Sequence, residues 1–203
     1  MKITAIKTQV KRQGRYSIFV EGKYSFSLSD TALLESKIIV GQEVSEVQVA
    51  EYKQASEDDK LYANALQYAA MRPRSLWEME SYLKRKEADP LLSQDILNKL
   101  TDFKYLNDEA FAKSWIESRR MLKPISRRRL IQELRSKRIA DEIVQQVLAE
   151  DETDERATLR QLVERKRRQS RYQDNEKLMR YLAGQGFSYD DIKTVLNQEG
   201  TET

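Results

Sequence analysis

Apolar residues recur at every second position early in the chain and at helical spacing later. In residues 15–29 the alternation runs from Tyr16 to Leu28, with Tyr24 on the same predicted face as Phe26, and is interrupted at Glu21-Gly22. This pattern predicts two strands joined by a hairpin turn. "ITAIKTQV" predicts a further strand, and "DTALLESKIIVGQEV" predicts a short helical turn followed by a bend. Residues 1–50 are therefore expected to form a small β-rich module.

From about residue 58 onward, apolar pairs spaced four residues apart recur as a weak repeat. The middle pair of each repeat is Met79-Leu83, Leu130-Leu134 and Leu178-Leu182, at offsets of 51 and 48 residues. Each middle pair has a pair upstream and a pair downstream: Tyr62-Leu66 and Ile96-Leu100, Phe111-Trp115 and Ile143-Val147, Leu159-Val163 and Ile192-Leu196. Residues spaced by four lie on one helical face, so each repeat reads as three helices.

The predicted fold is mainly α, with three tandem three-helix repeats in an elongated curved array behind the β-rich module. The repeats are expected at residues 58–104, 105–150 and 153–200. Potential N-caps support this division, because Ser75, Ser126 and Asp174 each precede the second helix of a repeat.

The amino-acid composition excludes several kinds of catalytic and metal-binding site. The chain of 203 residues has neither Cys nor His, which excludes thiol chemistry, Cys/His zinc sites and imidazole bases. Its three glycines in the β-rich module are too scattered for a phosphate-binding loop. No enzymatic activity, cofactor or metal is expected. No apolar run suggests a membrane span or a signal peptide, so a cytoplasmic protein without membrane contact is expected.

The stretch "KYLNDEAFAKSWIESRRM", residues 104–121, resembles a site because it combines acids, aromatics and arginines. Asn107 or Asp108 is expected to cap a helix rather than to act as a catalytic acid or base. Phe111 and Trp115 are four residues apart and are assigned to the core. The stretch therefore predicts a packed helix with a basic end.

Basic residues concentrate where the first helix of each repeat leads into the second. Residues 119–138 contain nine cations and one acid, Glu133, for a local charge of +8 against +3 for the whole chain. Because arginine dominates and the position recurs, we predict a basic flank that contacts phosphates or acidic protein surfaces. Its first cluster is Arg72 and Arg74; its middle cluster is Arg119, Arg120, Lys123, Arg127, Arg128, Arg129, Arg135, Lys137 and Arg138; its last cluster is Arg165, Lys166, Arg167, Arg168 and Arg171. A solvated helix face is the alternative.

Three segments resemble the RecX family of bacterial recombinase regulators: "RPRSLWEMESYLKRK", "LTDFKYLNDEAFAKSWIESR" and "ISRRRLIQELRSKRI". The resemblance covers roughly residues 58–200. Arg138 stands where that family often has glycine, so a less tight connection is expected there.

The resemblance implies a protein that binds the RecA–DNA filament and lowers its ATPase, recombinase and strand-exchange activity in DNA repair and the SOS response. Its implied partners are RecA and single- and double-stranded DNA. The lack of a spare heptad seam favours a monomer. A free-standing DNA-binding protein of helix-turn-helix type remains the alternative.

Overall fold

The first thirty residues form a three-stranded antiparallel sheet in the order β1-β2-β3. The computed structural model, which describes residues 1–199, contains β1 (Ile3–Thr8), β2 (Arg15–Val20) and β3 (Lys23–Ser29). Glu21 and Gly22 both have positive φ angles, 49° and 75°, which suit a tight hairpin turn. The predicted strands and turn are thus confirmed.

One detail of the predicted alternation is wrong. Tyr24 was expected on the same face as Phe26, but it is 55% exposed whereas Phe26 is 3% exposed. The register shifts between Ile18 and Phe19, which pair with Phe26 and Tyr24 respectively, so one extra residue of β3 lies between the two pairs. Such a bulge reverses which face the following side chains occupy.

Two helices follow the sheet, α1 (Asp30–Ser36) and α2 (Glu46–Ala70). Helical structure was expected from about residue 58, but α2 begins earlier because Ser45 and Gln48 form a capping box. The early turns of α2 pack against the sheet through Val49 and Tyr52. A buried ion pair between Arg15 and Asp59, at 3.0 Å, also joins β2 to α2.

The remaining described chain is helical, which confirms a mainly α fold with a small N-terminal sheet and tandem three-helix domains. A short 3-10 turn, Ser170–Tyr172, precedes the ninth helix. The predicted third repeat ends at residue 200, which lies outside the described residues. The helices are α3 (Leu76–Arg85), α4 (Pro90–Asp102), α5 (Asp108–Leu122), α6 (Arg127–Ser136), α7 (Asp141–Ala149), α8 (Glu155–Arg167), α9 (Asn175–Gly184) and α10 (Tyr189–Glu199).

The chain divides into two compact units. The first contains Met1–Arg72 and Tyr82–Asp102; the second contains Pro73–Ser81 and the described residues from Phe103 onward. The second unit has one core formed by α5, α6 and α7 and another formed by α8, α9 and α10.

The apolar pairs that define the repeat are largely the core. The middle pairs, on α3, α6 and α9, are all at most 1% exposed. The first-helix pair differs in α2, where Ala65 and Ala69 are buried and Tyr62 and Leu66 are only half-buried. The buried apolar residues in the later turns of α2 are therefore alanines, whereas α5 and α8 bury larger apolar residues such as Phe111 and Leu159.

The second helix of each repeat ends in the same way. Just after each of these helices one residue has a positive φ angle: Glu87 (55°), Arg138 (60°) and Gly186 (92°). The residue that follows it donates its backbone N–H to the carbonyl five residues earlier. These are Schellman C-caps, which require a left-handed residue. Arg138 follows Glu87 by 51 residues and Gly186 follows Arg138 by 48, the same offsets as the apolar pairs.

Repeated contacts join successive helices within the second unit. The first residue of α5, Asp108, accepts a hydrogen bond from the backbone N–H of Leu76, at 2.8 Å. The first residue of α8, Glu155, accepts in the same manner from the N–H of Arg127, at 3.1 Å. Each carboxylate thus binds a free N–H at the start of a preceding helix, where donors lack partners inside the helix.

Candidate functional site: the basic clusters

Two polar residues at the start of α5 cap helices: Asn107 caps α5, as the sequence predicts, and Asp108 caps α3. Asn107 accepts a hydrogen bond from the N–H of Ala110, at 2.9 Å, and Asp108 binds the N–H of Leu76. Burial raises the pKa of Asp108 above its usual value, although the hydrogen bond from Leu76 opposes this rise. Both side chains are therefore used at helix ends, and no acid–base pair forms.

Two cations of the middle cluster surround Trp115, which is half-buried against the core. The Arg119 guanidinium lies 4.4 Å from the centre of the Trp115 ring, and the Lys137 ammonium lies 5.2 Å from it. Glu133 accepts hydrogen bonds from Arg119 Nε at 2.6 Å and from the Trp115 indole at 3.0 Å. Lys137 also pairs with Glu78 at 2.7 Å. Because these contacts engage both cations, they stabilise the second unit.

Arg120 is also held inside the second unit. Its Nη2 atom lies 2.6 Å from Asp151, and its Nη1 atom donates to the carbonyl of Ile125 at 2.9 Å. Burial acts to raise the pKa of Asp151, but hydrogen bonds from Thr153 and Arg120 outweigh burial and lower it. The side chain of Arg120 is 14% exposed, so little of its guanidinium can reach a partner.

Other cations pair at the surface. Arg135 forms two hydrogen bonds with Asp141, at 2.7 and 3.1 Å, and both side chains are more than half exposed. In the last cluster, Arg168 pairs with Glu164 at 2.7 Å, with both side chains at least 70% exposed. Surface pairs of this kind contribute about 0–1 kcal/mol. Both arginines can therefore exchange their partner for an external anion.

In the last cluster, Arg167 and Lys166 contact groups within the molecule, whereas Arg171 is exposed. Arg167 donates to the carbonyls of Tyr172 and Gln173 and to Asn175, which ties the end of α8 to the start of α9. Lys166 lies 4.5 Å from the ring centre of Tyr181. Arg171 is exposed beside Tyr172, with its guanidinium 5.7 Å from that ring.

Six cations remain open, by which we mean that their side chains have at most a loose partner among residues 1–199. Five of them form neither a side-chain hydrogen bond nor an ion pair there, and Arg129 has only Glu133, at 3.9 Å. In the first cluster, Arg72 is exposed and Arg74 is half-buried, and both take part in interactions within the molecule. The open cations are Lys123, Arg127, Arg128, Arg129, Arg138 and Arg165.

Three open arginines form the first turn of α6, which contains no acid. The other helices that begin in the second unit all have at least one Asp or Glu in that turn. The N-terminal end of a helix is positive, so each cation there destabilises by about 0.3–1 kcal/mol. A local feature that opposes stability is expected where residues serve a function. The start of α6 is thus the strongest candidate site.

The basic clusters also have a defined spacing in the second unit. The N–H of Ser126, just before α6, donates to the carbonyl of Gln185, just after α9. The last cluster lies at the opposite end of α9, which spans Asn175–Gly184. A helix of that length measures about 15 Å, so the start of α6 and the last cluster lie at opposite ends of an element of about that length.

Neither a metal-binding cluster nor a membrane-spanning helix occurs in the part of the chain that the structure describes. Within residues 1–199, no group of three Asp or Glu side chains is placed to hold a metal ion. In the same part of the chain, no helix combines the length and apolar character that crossing a membrane requires.

Comparisons with known proteins agree with this architecture. Residues 1–45 match the family model described as the regulatory protein RecX N-terminal domain. Residues 107–148 match the second RecX three-helix domain, and residues 153–196 match the third. Together these models cover more than half of the chain.

Named relatives and solved structures give the same result. The chain is 30% identical over 201 residues to the regulatory protein RecX of Bacillus subtilis, covering 97% of this chain and 76% of the relative. A crystal structure of regulatory protein RecX matches with a TM-score of 0.72 and 25% identity, over 97% of this chain and 98% of that one. RecX from Lactobacillus salivarius matches with a TM-score of 0.58 and 26% identity, over 71% and 97% of the two chains. This chain therefore belongs to the RecX family of regulatory proteins.

Proposed function

We propose that this protein binds the RecA–DNA filament and inhibits its ATPase, recombinase and strand-exchange activity in DNA repair and the SOS response. Membership of a family of regulatory proteins supports a regulatory role. The observation that carries the proposal is the first turn of α6, where Arg127, Arg128 and Arg129 oppose the helix dipole. A filament of RecA on DNA offers the anionic surface that such a turn can bind.

The open cations define how binding would occur. Guanidinium groups form paired hydrogen bonds with phosphates and carboxylates, and cations without internal partners lose no ion pair on binding. The cations bound to Glu133, Asp151 and Glu78 would instead hold the helices in place. The regulator needs no chemistry or cofactor of its own, because it acts by occupying the filament. Such a protein works in the cytoplasm, as a monomer on the filament.

Salt dependence would report the number of phosphate contacts. Each phosphate neutralised on a single strand contributes about −0.7 to the slope of log affinity against log salt. If about five open cations contact phosphates, the slope is about −3 to −4. A slope near zero would mean that phosphates contribute little to binding.

The decisive experiment measures the single-stranded-DNA-dependent ATPase of the cognate RecA while this protein is titrated. A regulator of filament growth or integrity inhibits when it is substoichiometric to RecA. No inhibition at excess protein would overturn the proposal. If the protein then bound duplex DNA sequence-selectively without RecA, the helix-turn-helix alternative would replace it. Residues 125–138 contain one base-reading amide side chain, Gln132, which weakens that alternative.

A further inference from the structure

Two large apolar side chains are exposed at the end of α5, next to Lys123 and a few residues before Arg127 and Arg128 in the sequence. Met121 is 79% exposed and Leu122 is 74% exposed, and they are the last two residues of the helix. The preceding residues, Arg119 and Arg120, are turned into ion pairs with Glu133 and Asp151. The chain therefore places cations inside and apolar groups outside at this point, the reverse of the usual arrangement.

The surroundings of this apolar pair carry positive charge. No acidic residue occurs between Leu122 and Leu130, and Lys123, Arg127 and Arg128 are open. Glu155, on α8, is bound to the backbone N–H of Arg127. Glu117, one turn earlier on α5, is the nearest acid in the sequence before the pair. The surface thus combines two exposed apolar groups with an excess of cations.

The last cluster has a different composition. In residues 165–171 the exposed side chains belong to Arg165, Arg168, Gln169, Ser170 and Arg171, and no large apolar residue is exposed there. Phosphate contacts require charge and hydrogen-bond donors, which this stretch supplies. Methionine and leucine side chains do not strengthen phosphate contacts. The exposed Met121 and Leu122 at the end of α5 therefore indicate a second type of contact.

The chemistry of the pair favours a protein over a nucleic acid. Proteins bind exposed bases chiefly by stacking them on aromatic rings, and no aromatic residue lies in residues 116–130. Methionine and arginine are enriched at protein interfaces, where apolar contacts are surrounded by complementary charges. Methionine also adapts to irregular apolar surfaces.

We propose that Met121 and Leu122, with Lys123, Arg127 and Arg128, form a docking surface for an acidic protein segment that presents apolar side chains. This inference rests on the proposed function, so the segment would belong to the protein component of the filament. DNA contact is then left to the other open cations, Arg129, Arg138 and Arg165, and about three phosphate contacts would give a salt slope of about −2 in place of −3 to −4. The two basic clusters of the second unit would thus have different partners.

The absence of cysteine from the chain permits a direct test. Leu122→Cys introduces a single thiol at the proposed surface, and Leu91→Cys places one at the start of α4, where Leu91 is 80% exposed. The rate of maleimide labelling of this chain is followed by mass spectrometry for the free protein, with single-stranded DNA alone, and with the RecA–DNA filament. We expect the filament to slow labelling of Leu122→Cys by about tenfold or more, a protection worth about 1.4 kcal/mol. DNA alone should leave that rate nearly unchanged, and Leu91→Cys should label equally in all three samples.

A second variant measures affinity. Met121→Ser combined with Leu122→Ser should weaken binding to the filament by about tenfold while changing affinity for single-stranded DNA by less than about twofold. Equal protection of Leu122→Cys by DNA alone would overturn the inference in favour of a nucleic-acid contact. Full reactivity on a filament that the protein still inhibits would also overturn it, yet would leave the proposed function standing. Failure of the unmodified protein to bind or inhibit the filament would instead overturn the proposed function, and this inference with it.

Discussion

Gly186 lies where the end of α9 meets the start of α6, and a single methyl group there should disrupt this junction. Its φ angle is 92°, in the region that favours glycine. A Cβ atom at Gly186 would overlap Ser126 Oγ and would lie 2.9 Å from Arg129 Cβ and 3.2 Å from Arg129 N. Two independent penalties therefore apply to Gly186→Ala.

The size of the effect follows from these two penalties. A left-handed backbone conformation costs a residue with a Cβ about 1–2 kcal/mol. Overpacking against a backbone nitrogen and a Cβ atom adds about 1–3 kcal/mol. The sum is about 2–5 kcal/mol, which for a chain of this size lowers Tm by roughly 4–20 °C.

Gly184→Ala is the matched control. Gly184 is the last residue of α9, and an added Cβ would meet no atom within 4 Å. Alanine is the better helix former, so this variant should be as stable as the parent or more stable by up to about 1 kcal/mol. Both tryptophans, Trp77 and Trp115, lie in the second unit, so their fluorescence during thermal unfolding reports on this part of the molecule. Equal Tm values for Gly186→Ala and the parent would refute the close approach of the Gly186 turn to Ser126 and Arg129.

Three further predictions concern the second unit. Arg138→Gly should raise Tm by about 2–4 °C in thermal unfolding, because glycine adopts the left-handed conformation without the strain of about 1 kcal/mol that arginine has there. A lower Tm for Arg138→Gly would contradict the described C-cap. Glu133→Gln should lower the free energy of unfolding in urea by about 1–3 kcal/mol, because it leaves the half-buried Arg119 unpaired; no change would show that solvent already screens this pair. The pKa of Asp151 is lowered in the folded state, so its stabilisation is present above its unfolded pKa, about 3.9, and is lost as pH falls through the folded value. Asp151→Asn should therefore flatten the fall in Tm between about pH 5 and pH 2, whereas equal profiles would exclude this carboxylate as a source of acid sensitivity.

The sequence predicts the repeated parts of this fold well, because they depend on local periodicity. The apolar pairs on α3, α6 and α9 and the caps at Ser75, Ser126 and Asp174 can be found from spacing alone. The bulge in β3 and the early start of α2 are missed. The bulge depends on how β3 pairs with β2, which the pattern of one strand does not show. The start of α2 depends on a capping box at Ser45 and Gln48, in a stretch without clear helical periodicity.

The sequence does not predict which cations of the basic flank are available to bind a partner. Charge density identifies the clusters, but it does not show which cations have internal partners. Glu133, Asp151 and Glu78 lie 14, 31 and 59 residues from Arg119, Arg120 and Lys137, so folding alone brings each pair together. One signal was available in the sequence: Arg127, Arg128 and Arg129 directly follow the N-cap Ser126, where acids are normally preferred.

We infer that the first turn of α6 is less stable than it could be because its three arginines bind an anionic partner. It is tested by replacing Arg127, Arg128 and Arg129 together by glutamine and measuring both Tm and inhibition of the cognate RecA ATPase. The matched control replaces the three consecutive exposed cations at the end of α3, Lys84, Arg85 and Lys86, by glutamine. This triplet lies at the negative end of its helix and outside the basic flank.

The α6 variant should keep or raise Tm, because removal of each cation from the positive end of the helix relieves about 0.3–1 kcal/mol. The same variant should need about tenfold or more protein for half-maximal inhibition, whereas the α3 control should inhibit as the parent does. Undiminished inhibition by a folded α6 variant would show that these arginines are only a solvated helix end and do not bind the filament.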